Sequence, residues 1–269
     1  MRRLQALIWD VDGTLAETER DGHRVAWNLA FAASGVPWRW SVARYGELLL
    51  ITGGKERLLH DLASQPQAPR AKADQEALVA RLHDLKNRHY AEIVAAGHIP
   101  LRPGVAALMA DCRLADLPMA IATTTSRGNV NALMEAHFGP GWASGFAAVL
   151  CAEDAPLKKP DPQVYLMTLA RLGLAADEVL AIEDSGPGLG ACCAAGVPVV
   201  VARSVYFEQL TTQGALAAGP GLHDRAGWTG PVSEQPSVPP GPAGERVDLD
   251  LLSRWHAVQP QAPAQPLGR

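Results

Sequence analysis

The chain has 269 residues, 48% of them hydrophobic, and a formal net charge of −4. That is enough apolar material for one main core and a smaller second one, so one domain carrying an insertion is expected. The charge supplies no overall basic field, which argues against nucleic acid or an anionic membrane as partner, and no run of roughly eighteen apolar residues offers a membrane span.

The amino-terminal Met1-Arg2-Arg3 leads directly into the apolar run 4–9, which is too short for the core of a signal peptide, so a soluble cytoplasmic protein is expected. The run reads as a buried strand, and it breaks at Asp10-Val11-Asp12-Gly13-Thr14. Two carboxylates two residues apart, beside a glycine that permits a tight turn, sit where open α/β sheets bind ligands, beyond the end of a strand. One can serve as ionised nucleophile and metal ligand while the other exchanges protons. A solvated polar turn is the plainer alternative for this short motif.

Residues 17 to about 95 lack strand signals. Helical spacing at 24–31 and 71–96 marks the block as a helical insertion. From 101 onward the pattern alternates. A helix is expected from 102 to about 115, then a strand over 117–122 ending in Thr123-Thr124-Thr125-Ser126. A helix at 129–137 precedes a strand near 146–151 and the loop Leu157-Lys158-Lys159-Pro160. A helix over 162–172 leads to the strand 179–182 and Glu183-Asp184-Ser185-Gly186, then a helix to 195 and a strand over 197–202. Regular alternation means βαβ units and a parallel sheet with helices on both faces. The stretch 214–244 is rich in Gly and Pro, and 236–242 is expected to hold neither helix nor strand. A short helix is expected at 247–255, docking by Leu and Trp, before a Pro-rich tail over 257–269.

The domain reading is therefore an α/β core from 1–15 and 97–207, a helical cap from 16–96, and an extension over 208–269 with a short helix near 248–256. Cys112, Cys151, Cys192 and Cys193 show no metal-binding spacing and are expected to be reduced and buried.

In a parallel sheet every strand ends on one edge, so Asp10, Thr123, Lys159 and Glu183-Asp184 are expected to open onto one face. Singly, each has a plain explanation as a turn, a cap or a solvated loop. Their convergence is the argument for a site. Asp10, Asp12 and Asp184 would concentrate negative charge, and hard carboxylate oxygens at an open site suit Mg²⁺ together with a substrate phosphate. Phosphoryl transfer needs positioning and charge stabilisation, which a metal, a Lys ammonium and a Thr hydroxyl can supply.

The set Asp10-x-Asp12-Gly13-Thr14, Thr123, Lys159-Pro160 and Glu183-Asp184 resembles the haloacid dehalogenase superfamily over about residues 1–207. The finer likeness is to its CbbY and β-phosphoglucomutase-like branch. It rests on Leu15-Ala16-Glu17-Thr18-Glu19, Thr52-Gly53-Gly54-Lys55-Glu56-Arg57 and Ile121-Ala122-Thr123-Thr124-Thr125, and the segment 247–256 is similar to the end of some longer members. The chain departs from the pattern with Trp9 where the family has Phe, and with the 214–244 stretch, which shorter members lack.

The resemblance implies a Rossmann-like parallel sheet core with an inserted helical cap, and catalysis through an aspartyl-phosphate. Asp10 would be the nucleophile and Asp12 the acid and base, with Thr123 and Thr124 holding the transferring phosphate and Lys159 neutralising it. Thr125 is a further substrate contact. Mg²⁺ would be held by the Asp10 carboxylate, the Asp12 carbonyl and Asp184, with Glu183 as ligand or outer support. In the cap, Gly53, Gly54, Lys55 and Arg57 would hold a second phosphate and Lys86 would face the substrate. Glu17 and His23 would meet the sugar or Asp12. The implied activity is hydrolysis of xylulose-1,5-bisphosphate to xylulose 5-phosphate, supporting Rubisco in carbon fixation. A phosphomutase and a non-catalytic binding protein are the alternatives. The expected partner is a small phosphorylated sugar, and a monomer is compatible with the sequence.

Overall fold

The computed structural model describes residues 3–65, 67–230 and 244–258. Short apolar runs form a six-stranded parallel sheet from β1 (Ala6–Trp9), β2 (Met119–Ala122), β3 (Ala148–Leu150), β4 (Val179–Glu183), β5 (Val199–Ala202) and β6 (Ala217–Gly219), in the order β3-β2-β1-β4-β5-β6. β1 lies at the centre, with Trp9 in register with Ile121 on one side and Ile182 on the other. Every residue of β1, β2 and β4 is buried, as continuous apolar strands covered on both faces must be. Side chains alternate across the sheet: Leu7 and Trp9 join one core cluster while Ala6 and Ile8 join the other.

Between β1 and β2 the chain forms a wide helical turn at Glu19–His23 and then α1 (Arg24–Ala33), α2 (Val42–Leu48), α3 (Gly54–Leu62) and α4 (Lys72–Ala95). These helices share a third cluster, rich in aromatic rings, with Trp27 5.4 Å and Phe31 5.1 Å from Trp40. Rings at these separations and tilts gain quadrupolar attraction beyond their buried area. The chain leaves the core and returns at one place. Ala16 bridges Leu101 antiparallel, and the Arg102 amide donates to the Leu15 carbonyl at 2.7 Å. The Arg102 guanidinium then donates to the carbonyls of Gly13, Ala202, Arg203 and Pro220.

The remaining helices of the core are α5 (Val105–Leu114), α6 (Arg127–Phe138), α7 (Gln163–Leu172) and α8 (Gly186–Ala195). Two features differ from the sequence expectation. β6 was not expected in the Gly/Pro-rich stretch; it pairs with β5 through Val200 and Ala217 and extends the sheet by one edge strand. Cys112, Cys151 and Cys192 are buried, but Cys193 is exposed, because adjacent helical positions point about 100° apart. The expected short helix forms as α9 (Leu249–Ala257). It buries Leu251, Leu252 and Trp255, with Trp255 stacked on Trp228 at 5.4 Å. Arg246 fastens this segment to α5 through a bidentate pair with Asp111 at 2.6 and 2.7 Å. The 236–242 stretch and the tail from 259 onward lie outside the described residues. Among the described residues no helix is long and apolar enough to cross a membrane.

Candidate active site

A cleft of about 310 Å³ opens between the sheet edge and the helices of the insertion. Asp10, Asp12, Thr123, Thr124, Thr125, Lys159 and Asp184 all line it, although they come from four separate strand ends. The parallel sheet brings them together. Asp10 directly follows β1, its amide donating to the Ile182 carbonyl at 3.1 Å. Gly13 turns the chain with φ +82°, and a Cβ there would lie 2.1 Å from the Asp184 carboxylate. A glycine is required both by the backbone conformation and by that close approach. Thr123 is buried, and its hydroxyl accepts from the Thr125 amide at 3.2 Å, shaping the turn after β2.

Lys159 is the charge hub. Its ammonium donates to Asp10 at 2.7 Å, to Glu183 at 2.6 Å and to the Ala122 carbonyl at 3.0 Å. Burial opposes that charge, but Asp10 and Glu183 hold the lysine protonated well above its ordinary range. Burial and then Glu183 push the Asp10 carboxyl up to about 7, against the pull of Lys159. Asp184 is raised as well, by burial and by Asp10 and Glu183, while Ser204 donates to it at 2.5 Å. Carboxylate oxygens of Asp10, Glu183 and Asp184 lie within 4.8 Å of one another. Three crowded hard-oxygen donors beside Lys159 fit a divalent cation. Glu183 already accepts from Lys159 and from the Tyr165 hydroxyl, which suits an orienting position better than a direct one.

Asp12 behaves in the opposite way. Burial alone would raise it, but His23 at 3.0 Å and the Thr18 hydroxyl at 2.6 Å hold it well below the usual carboxylate range. His23 is fixed in turn by Tyr90, their rings 4.2 Å apart.

The opposite wall comes from the insertion. Gly53, Gly54, Lys55, Arg57, His83 and Lys86 line the cleft, with Gly53 and Gly54 at the start of α3. Backbone amides at such an end favour an anion. Arg57 and Lys86 are buried rather than on a solvated helix face, while Lys55 is exposed. Arg57 donates to the Tyr45 hydroxyl at 2.9 Å and approaches Glu19 at 3.6 Å, while Tyr45 donates to Glu19 at 2.5 Å. Burial pushes Lys86 down to about 8, offset in part by Asp12 and Glu19. His83 is lowered to about 3 by burial, Lys86 and Lys55, and stays neutral.

One expected contact is not made. Glu17 lies outside the cleft, pairing with Arg102 at 3.4 Å and accepting from the Val205 amide, in a separate pocket. Glu19 takes the place facing the cleft. Sequence reasoning also missed Tyr45, His83, Asn129 and Ser204, which come from helices and loops with no motif of their own. For Glu19 a signal existed, since it stands in the same quoted run as Glu17.

The family model for haloacid dehalogenase-like hydrolases matches residues 4–196. The chain is 47% identical over 254 residues to a plasmid-borne protein CbbY of Cupriavidus necator, covering 94% of this chain and 97% of that one. It is 45% identical over 203 residues to protein CbbY of Rhodobacter capsulatus, covering 76% and 87%. A crystal structure of a CbbY mutant from Rhodobacter sphaeroides in complex with xylulose-(1,5)bisphosphate superimposes with a TM-score of 0.73 at 38% identity, covering 79% of this chain and 92% of that chain.

Proposed function

The chain belongs to the haloacid dehalogenase-like hydrolase family, and from that premise we propose that it is a Mg²⁺-dependent phosphatase that takes the 1-phosphate from xylulose 1,5-bisphosphate, leaving xylulose 5-phosphate. It is a phosphoric monoester hydrolase. The observation that carries the finer reading is Asp10, a buried carboxylate held by Lys159 at 2.7 Å at the floor of a cleft whose other wall is cationic. The sugar bisphosphate bound by the similar CbbY structure supports the choice of substrate.

In the proposed reaction an Asp10 oxygen forms a bond to phosphorus as the bond from phosphorus to the sugar oxygen breaks. Asp12 delivers the proton to that oxygen. Asp12 is ionised before substrate arrives, an approaching phosphate favours its taking up a proton from solvent to pass to the sugar oxygen, and His23 at 3.0 Å holds its side chain in place. Asp12 then takes a proton from water as water attacks the aspartyl-phosphate and frees Asp10. Asp10 and Asp184 would hold the metal with the Asp12 carbonyl, Glu183 orienting Lys159 beside them. Held by these residues, Mg²⁺ would supply positive charge that favours ionised Asp10 and polarises the phosphate oxygens. Thr123 and Thr124 hold the transferring phosphate, with Thr125 next to them, and Lys159 neutralises it. Gly53, Gly54, Lys55, Arg57 and Lys86 hold the second phosphate, which explains three cations on the wall facing Asp12.

We assign residues 16–96 as the cap inserted into a core of 1–15 and 97–207, and place the protein in the cytoplasm, removing a sugar bisphosphate that inhibits Rubisco. The test is phosphate release from xylulose 1,5-bisphosphate and from β-glucose 1-phosphate, with Mg²⁺ and after chelation. Mg²⁺-dependent release from the bisphosphate is expected. Isomerisation of the glucose phosphate without release would instead identify a phosphomutase, and no turnover of either would overturn the assignment of xylulose 1,5-bisphosphate as the substrate.

A further inference from the structure

We propose that Thr52 is a positioning residue through which the helical insertion sets the catalytic lysine, an inference that rests on the phosphatase reading. Thr52 lies between α2 and α3, on the far side of the crossing at Ala16 and Leu101. Its hydroxyl donates to the backbone carbonyl of Lys159 at 2.6 Å, across 107 positions of sequence. The same Lys159 delivers its ammonium to Asp10 at 2.7 Å and Glu183 at 2.6 Å. One residue of the core thus receives the insertion at its carbonyl and presents charge to the nucleophile at its other end.

A matching tie stands across the cleft. Asn129, on α6, donates to the Asn87 side chain of α4 at 3.3 Å and to the Thr125 hydroxyl at 3.5 Å, and the Thr125 amide donates to Thr123. Both ties therefore end on groups assigned to the transferring phosphate. Both link neutral partners, so neither is made or broken by titration. The Thr52 bond is short and forms only while the insertion lies over the sheet edge, so its formation coincides with the lysine loop being held in place. A hydroxyl that merely satisfied a loop carbonyl would affect stability and leave turnover alone.

Turnover of xylulose 1,5-bisphosphate by wild type, Thr52→Val and Thr52→Ser separates these roles. Loss of one hydrogen bond predicts that Thr52→Val lowers kcat roughly three- to tenfold while KM moves less than about twofold, and that Thr52→Ser restores most of the rate. Amides of residues 157–159 and 161, which flank Pro160, should exchange with deuterium faster in Thr52→Val than in wild type. Unchanged kcat in Thr52→Val, or equal impairment in both variants, overturns the proposal. If wild type hydrolyses no sugar phosphate, the phosphatase reading fails by itself, and unaltered exchange at 157–159 and 161 in Thr52→Val then sinks the positioning role separately.

Discussion

Asp10 and Asp12 stand two residues apart and are driven in opposite directions by their neighbours. Asp10 is pushed up by burial and Glu183, Asp12 is pulled down by His23 and Thr18. These directions are the reverse of an ionised nucleophile beside a protonated acid, so the proposed roles need a cation among Asp10, Glu183 and Asp184 to favour ionised Asp10 and a substrate phosphate near Asp12 to favour its protonated form. Asp10→Asn is expected to lower kcat on the order of 10⁴-fold in a phosphate-release assay. Its melting temperature should not fall, since Lys159 keeps Glu183 and one crowded carboxylate is neutralised. Lys86 gives a pH signature. Its ammonium is depressed to about 8 by burial, so it is charged below that pH and neutral above it. If it binds the second phosphate as a cation, kcat/KM should fall as pH rises through about 8, and Lys86→Arg should shift that fall upward or remove it. The residue scale also marks where sequence reading reached its limit. Glu17 and Glu19 sit in one motif, yet only Glu19 turns to the cleft, a choice made by the wide helical turn that follows.

Among the elements, the central strands were legible because parallel strands buried on both faces read as unbroken apolar runs, as in Leu7-Ile8-Trp9 and Leu180-Ala181-Ile182. Their common direction is also why Asp10, Thr123, Lys159 and Asp184 could be expected on one edge. β6 was not legible. Its Ala-Ala-Gly sequence has no β-branched or aromatic residue, and it is held as a strand by the ready edge of β5. The network of Arg57, Tyr45 and Glu19 was equally hidden, since three helical segments meet there through side-chain packing that no spacing encodes. Arg102 binds the elements at the crossing by donating to four carbonyls, including that of Gly13 in the turn after β1. Arg102→Ala strands those acceptors and is expected to cost roughly 3 kcal/mol, read from the denaturant midpoint, together with a lower kcat from the loosened turn.

For the molecule as a whole, the described chain from β6 to α9 extends the core, and none of its described residues lines the cleft. Trp255 is fully buried against Trp228 and its neighbours, so Trp255→Ala should destabilise by roughly 3–5 kcal/mol. Because no residue of α9 lines the cleft, KM for the sugar phosphate should stay at its wild-type value, which steady-state kinetics on the purified variant would check. The paired backbone at Ala16 and Leu101 has a further consequence. Departure and re-entry points are already hydrogen-bonded neighbours, so everything between them is topologically a detour whose removal leaves the route through the sheet undisturbed. A foreign helical module with equally close ends can be spliced onto the same two positions, provided that it restores the ties from Thr52 to Lys159 and from His23 and Thr18 to Asp12.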